Sequence, residues 1–139
     1  MERQRSSGCA LFIAAKNGDF DKVRSILNDG ANMNFLCGAS LGFASAGGHI
    51  EIVKFLLGRA SISQDEINGA LMVACLESKE NVVKVLLDYG VVIDANKNGL
   101  LLCALHKGNM NIIYLLVNLG ASLEKIITTA MDFQTNNKY

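Results

Sequence analysis

At 139 residues the chain is sized for one domain with a core of moderate extent. Half of it is apolar and 13 basic residues balance 13 acidic ones, so no basic footprint marks nucleic acid or anionic lipid as a partner, and none is expected. No stretch approaches the roughly 18 apolar residues of a membrane span, and Cys9, Cys37, Cys75 and Cys103 form neither a close pair nor a CxxC, which points to reduced thiols in a cytosol.

In chain order, Arg3 and Arg5 precede an apolar run from Cys9 to Ala15 that could pass for a signal peptide. The run is short, "KNGD" follows it in place of a small-residue cleavage site, and it falls in register with the segments below, so it reads as folded protein. It is the first of four short helices that carry Leu and Ala at i and i+3: Leu11 and Ala14, Leu41 and Ala44, Leu71 and Ala74, Leu101 and Ala104. Alanine suits these positions because helices approach to ~8 Å only over small side chains. Gly18, Gly48 and Gly108, with Ser78 as the exception, break this first helix.

Asp21, Glu51, Asn81 and Asn111 open a second helix, where free amides and the positive dipole end favour such side chains. Its apolar stripe runs through Val23, Val53, Val83 and Ile113, then Ile26, Leu56, Leu86 and Leu116. Leu27, Leu57, Leu87 and Val117 extend it. Gly30, Ala60, Gly90 and Gly120 close the units, the glycines supplying a left-handed residue. Every column advances by thirty residues without an insertion, the mark of a repeat architecture. A helix pair of this size cannot bury its apolar face alone, but stacked copies bury one another's.

"GHIEIVKFLLGRA" is similar to the second half of an ankyrin repeat, and "LFIAAKNGD" resembles its first helix. The resemblance covers residues 9 to about 124 and implies an all-α ankyrin-repeat solenoid. Ankyrin units usually run 33 residues and carry T-P-L-H before the first helix. Here those columns read Cys-Ala-Leu-Phe, Ala-Ser-Leu-Gly, Gly-Ala-Leu-Met and Gly-Leu-Leu-Leu, and the three missing residues fall in the loop, so short hairpin fingers are expected. Short units of this kind look like those of giant DNA viruses, and some intracellular bacteria also use ankyrin proteins.

The expected organisation is a single domain over 1–139, with repeats at about 9–38, 39–68, 69–98 and 99–128 and a half-repeat cap at 129–139. Lys22 and Ser25 stand where later units carry Ile52, Val82, Ile112 and Phe55, Val85, Leu115, which suits a face with no preceding repeat. At the other end Gln134 replaces the small alanine of the earlier units.

Catalytic groups are scarce. His49 sits in a column where the ankyrin resemblance implies a structural histidine, and His106 falls on an exposed side and suits a partner contact. No nucleophile is placed beside either. Neither GxGxxG nor GxxxxGK[ST] occurs, acidic residues lack calcium-loop spacing, and Asn34, Gln64, Asp94 and Glu124 share a loop column suited to local backbone bonds. No enzyme activity, cofactor or metal is expected.

The resemblance therefore implies a protein–protein interaction module, cytoplasmic and monomeric, or lying in a host cytosol if viral or an effector. The alternative is an inhibitor or host-directed effector that occludes a partner enzyme's active site. With Leu11, Ile13, Ala14 and Ala15 taken as buried, the concave columns are those of Phe12, Lys16 and Asn17. Along the array they read Phe12 and Lys16, Gly42 and Ala46, Met72 and Leu76, Leu102 and His106, edged by Asn17, Glu77 and Lys107. Met72 and Leu102 lie in a column often half buried beneath the fingers. Leu76 lies in a column usually facing solvent, so a partner is expected across repeats three and four with Leu76 central. The fingers around Phe35 and Leu36 form the other candidate surface.

Overall fold

The computed structural model describes residues 2–29, 36–59, 62–90 and 97–119, with side chains from Gly8 in the first stretch and from Gly99 in the last. Eight helices occupy them: α1 (Glu2–Asn17), α2 (Phe20–Asp29), α3 (Cys37–Gly47), α4 (Ile50–Arg59), α5 (Gln64–Leu76), α6 (Glu80–Asp88), α7 (Lys97–Lys107) and α8 (Met110–Asn118). There is no strand among the described residues. The expected cap at 129–139, with Gln134, lies outside them, as do Gly30, Ala60, Gly120, Asn34, Asp94, Glu124 and Phe35.

The chain divides into two compact units, Met1–Val92 and Ile93–Tyr139. In the first, α3 packs between α1 and α5, and α4 packs between α2 and α6, each odd helix also resting on the even helix that follows it. This gives a layer of first helices on a layer of second helices. Its core is the expected set of columns: Leu11, Ala14, Leu41, Ala44, Leu71 and Ala74 from the first helices, with Val23, Val53, Leu56, Val83 and Leu86 from the second, all buried. In the second unit α7 packs on α8, with Leu101, Ala104, Ile113 and Leu116 buried.

The turn between paired helices is a left-handed residue. Gly18, Gly48 and Gly108 have φ of 81°, 75° and 71°, and Ser78 takes the same conformation at 57°, the one non-glycine to do so among the described residues. Serine thus breaks its helix by the same geometry as glycine, at the steric cost an L side chain meets there. Gly90 supplies the expected left-handed residue after α6, with φ 99°.

Three local expectations need correction. The first helices are not all short: α1 has 16 residues and α5 has 13, because Ser63 and Glu66 form a capping box that starts α5 at Gln64. The second helices open earlier than Asp21, Glu51, Asn81 and Asn111. Asp19 Oδ1 accepts from the Lys22 N–H at 3.2 Å and Asn109 Oδ1 from the Ile112 N–H at 3.1 Å, so the capping column is that of Asp19, His49, Lys79 and Asn109. Finally, Val117 is exposed although Leu27 and Leu57 in its column are buried.

Lys22 and Ser25 are exposed, whereas Ile52, Val82 and Ile112 in the Lys22 column are buried. In the first unit α2 therefore presents Lys22 where α4 and α6 present core.

Candidate functional site

Residues advance by about 100° around an α-helix, which decides what α1 shows to solvent. Leu11, Ala14 and Ala15 cluster within about 100° and are buried. Ile13 points about 150° from the middle of that arc, and it is 58% exposed rather than buried as expected. The outward face of the first helices thus comprises the columns of Phe12, Ile13, Lys16 and Asn17.

In the first unit this face carries large apolar groups. Phe12 is half-buried and its ring lies 5.4 Å from that of Phe43, tilted by 36°. That spacing suits the offset arrangement aromatic pairs prefer. Phe43 is 40% exposed and Leu76 is 38% exposed, while Met72 and Val73 are half-buried. Leu36, just before α3, is also half-buried.

Charge is nearly absent here. The sequence of α3, CGASLGFASAG, has no charged residue, and its only hydroxyls, on Ser40 and Ser45, are fully buried. Gly42 has nothing near enough to contact an added Cβ. Lys16 and Asn17 at the end of α1, and Glu77 just after α5, are the exposed polar residues of the rim.

On α7, Leu102 is 56% exposed and His106 and Lys107 are exposed too. Each sequence-derived contact residue within the described side chains is therefore at least partly accessible. Phe12, Lys16, Asn17, Met72, Leu76 and Glu77 belong to the first unit, and Leu102, His106 and Lys107 to the second.

His49 is a structural group. Its Nε2 lies 2.9 Å from the Lys16 carbonyl, which can only accept, so Nε2 carries the proton and ties α4's start to α1's end. Its ring lies where a Cβ at Gly18 or Gly47 would be, so both neighbours must be glycine-small.

Arg59, which no periodic column marks, ties the second helices together. Its Nη2 donates to the Leu27 carbonyl at 2.6 Å and its Nη1 to Asn28 Oδ1 at 2.8 Å, placing a cation at the electronegative end of α2. Its guanidinium also lies 5.8 Å from the centre of the Phe55 ring, which meets Phe20 edge-on.

Cys37 is buried, and that burial pushes its thiol up from the ordinary value, with the Arg59 guanidinium pulling back and the Glu66 carboxylate adding to the rise. A protonated buried thiol is a poor nucleophile. A depression of about 260 Å³ between the second and third turns is lined by Gly48, Ser78, Lys79, Glu80, Asn81 and Val82. Among the described residues no three His, Cys, Asp or Glu side chains gather as a metal site would require, and no helix is long and apolar enough to cross a membrane.

Comparison with family models matches residues 41–127 to "Ankyrin repeats (3 copies)" and residues 11–57 to "Ankyrin repeats (many copies)". The chain belongs to the ankyrin-repeat family. No curated protein matches it. Ankyrin repeats are generally protein–protein interaction modules, and ankyrin-repeat proteins are typically non-catalytic scaffolds. The exposed apolar residues of α1, α3 and α5 thus lie on a fold whose general work is binding protein.

Two groups escaped the sequence. Phe43 shares the Ile13 column, assigned there to the core, and the 100° step alone would have moved both outward. Arg59 gave no periodic signal, because its column reads Asp29, Arg59, Tyr89 and Leu119.

Proposed function

We propose that this ankyrin-repeat chain binds a protein partner through the outward face of its first helices, with Ile13, Phe43 and Leu76 as anchors. The observation that supports this reading is the presence of three large, substantially exposed apolar side chains around a helix without charge. Scattered exposed leucines are ordinary, but neighbouring ones on a single face suit a contact site. Lys16, Asn17 and Glu77 form its polar rim, and Phe12, Met72 and Leu36 its margins. Leu102, His106 and Lys107 on α7 offer a second, more basic patch.

Cys9, Cys37, Cys75 and Cys103 are thiols rather than disulfides, which suits a reducing, cytoplasmic setting. The partner's fate separates a tether from an inhibitor or host-directed effector.

Affinity capture from lysate with the parent chain and with Leu76→Asp and Ile13→Asp is the test. Each variant is expected to keep its helicity and to weaken partner retention by ~10-fold, about 1.4 kcal/mol. Unchanged retention by both folded variants would move the site elsewhere. An activity assay of the captured partner then distinguishes occlusion from tethering.

A further inference from the structure

The face proposed above also restricts what can lie on it. An extended segment would have to leave its own backbone N–H and C=O groups facing α3. The backbone of α3 is bonded within its own helix, both its hydroxyls are fully buried, and its exposed side chains are Ala39 and Phe43. Nothing there can satisfy a strand, and burying unpaired backbone groups is costly. A helix brings its backbone already paired. The small side chains of Gly42 and Ala46, one turn apart, leave room for such a helix to approach over the middle of the face.

Charge then gives the helix a direction. From Gly8 on, the only charged side chain of α1 is Lys16, and between Glu66 and the end of α5 there is none until Glu77 follows. Both are exposed, one in the last turn of α1 and one at the end of α5, with uncharged α3 between them. Among the described residues neither has an ion-pair partner. Helices most readily carry acidic residues in the first turn and basic residues in the last.

Resting on the proposed binding face, we infer that its occupant is an amphipathic partner helix laid across α1, α3 and α5. Its apolar side meets Ile13, Phe43 and Leu76, an acidic first turn meets Lys16, and a basic last turn meets Glu77. Two steps between packed helices of about 8–10 Å each cover about 16–20 Å, so the two charges stand about 11–13 residues apart.

The probe is a labelled peptide of about 18 residues with leucines at helical spacing, Glu in its first turn and Lys in its last; a twin exchanges the two charges. By fluorescence anisotropy the acid-first peptide is expected to bind the parent chain about fivefold more tightly than its twin. Exchanging the receptor charges, Lys16→Glu with Glu77→Lys, is expected to reverse that order, and Phe43→Asp to weaken both peptides. Equal binding of the twins, an order unaffected by the exchange, or no binding by either overturns the oriented helix. If lysate capture still depends on Leu76 in those cases, the binding face stands and only its occupant is wrong. Self-association of the parent, abolished by Leu76→Asp, would make the occupant a second copy and also overturn the inference.

Discussion

Ser78 offers the sharpest test of how the turns are made. Its φ of 57° places a Cβ in the left-handed region that Gly18, Gly48 and Gly108 occupy in the equivalent turns. An L residue there meets a steric cost of roughly 1–2 kcal/mol, which glycine escapes. Glycine loses more freedom on folding, and that offsets roughly 0.5–1 kcal/mol of the relief. The hydrogen bonds do not depend on the side chain. The Ser78 and Lys79 amides donate to Cys75 and Ala74 at 3.3 and 2.8 Å, and the Gly48 and His49 amides to Ser45 and Ala44 at 3.1 and 2.9 Å. Ser78 is exposed, so its removal opens no cavity. Ser78→Gly is therefore expected to stabilise by about 0.5–1 kcal/mol, and Gly48→Ser to destabilise by a similar amount or more. Thermal unfolding followed by circular dichroism reads this as shifts of about 2–4 °C in opposite directions. A lowered midpoint for Ser78→Gly, or no loss for Gly48→Ser, would refute the backbone reasoning.

Other substitutions probe the core and a buried thiol. Ser40 and Ser45 bury hydroxyls without a hydrogen-bond partner among the described residues; Ser40→Ala and Ser45→Ala are each expected to raise stability by about 1 kcal/mol in urea unfolding, and a loss at both would show that the hydroxyls are satisfied in solution. Ala44 and Ala74 are fully buried; replacing either by Leu is expected to cost ~1–3 kcal/mol through overpacking, and unchanged melting would mean that the first helices are not closely packed. The folded state holds the Cys37 proton more tightly than the unfolded chain does. Stability from this group is therefore intact below the ordinary thiol value of 9.0 and lost as pH rises above it, because burial raises the folded value. Urea midpoints of the parent are expected to fall more steeply above that pH than those of Cys37→Ala, and parallel profiles would contradict the burial effect.

Much of the fold was legible because its core positions recur. Leu11, Leu41, Leu71 and Leu101, with Ala14, Ala44, Ala74 and Ala104, carry the same packing demand in each unit, and all are buried. The turn was legible even at Ser78, where position rather than residue type carried the information. Helix starts were less so. The Ser63–Glu66 capping box is written in the sequence, but it falls before the column that marks the first helix elsewhere. The outward face was only partly legible, since Leu76 stood out from its column while Ile13 and Phe43 read as core by their hydrophobicity. Arg59 could not be read at all, because its acceptors on Leu27 and Asn28 come within reach only when α4 packs beside α2.

Side-chain footprinting by carbene labelling, with and without the captured partner, tests the binding face most directly. The expected result is protection of Ile13, Phe43 and Leu76 on the first helices, with Arg24, Lys54 and Lys84 on the exposed side of the second helices labelled equally in both states. Protection of Arg24, Lys54 and Lys84, with Ile13, Phe43 and Leu76 still labelled in the complex, would contradict it.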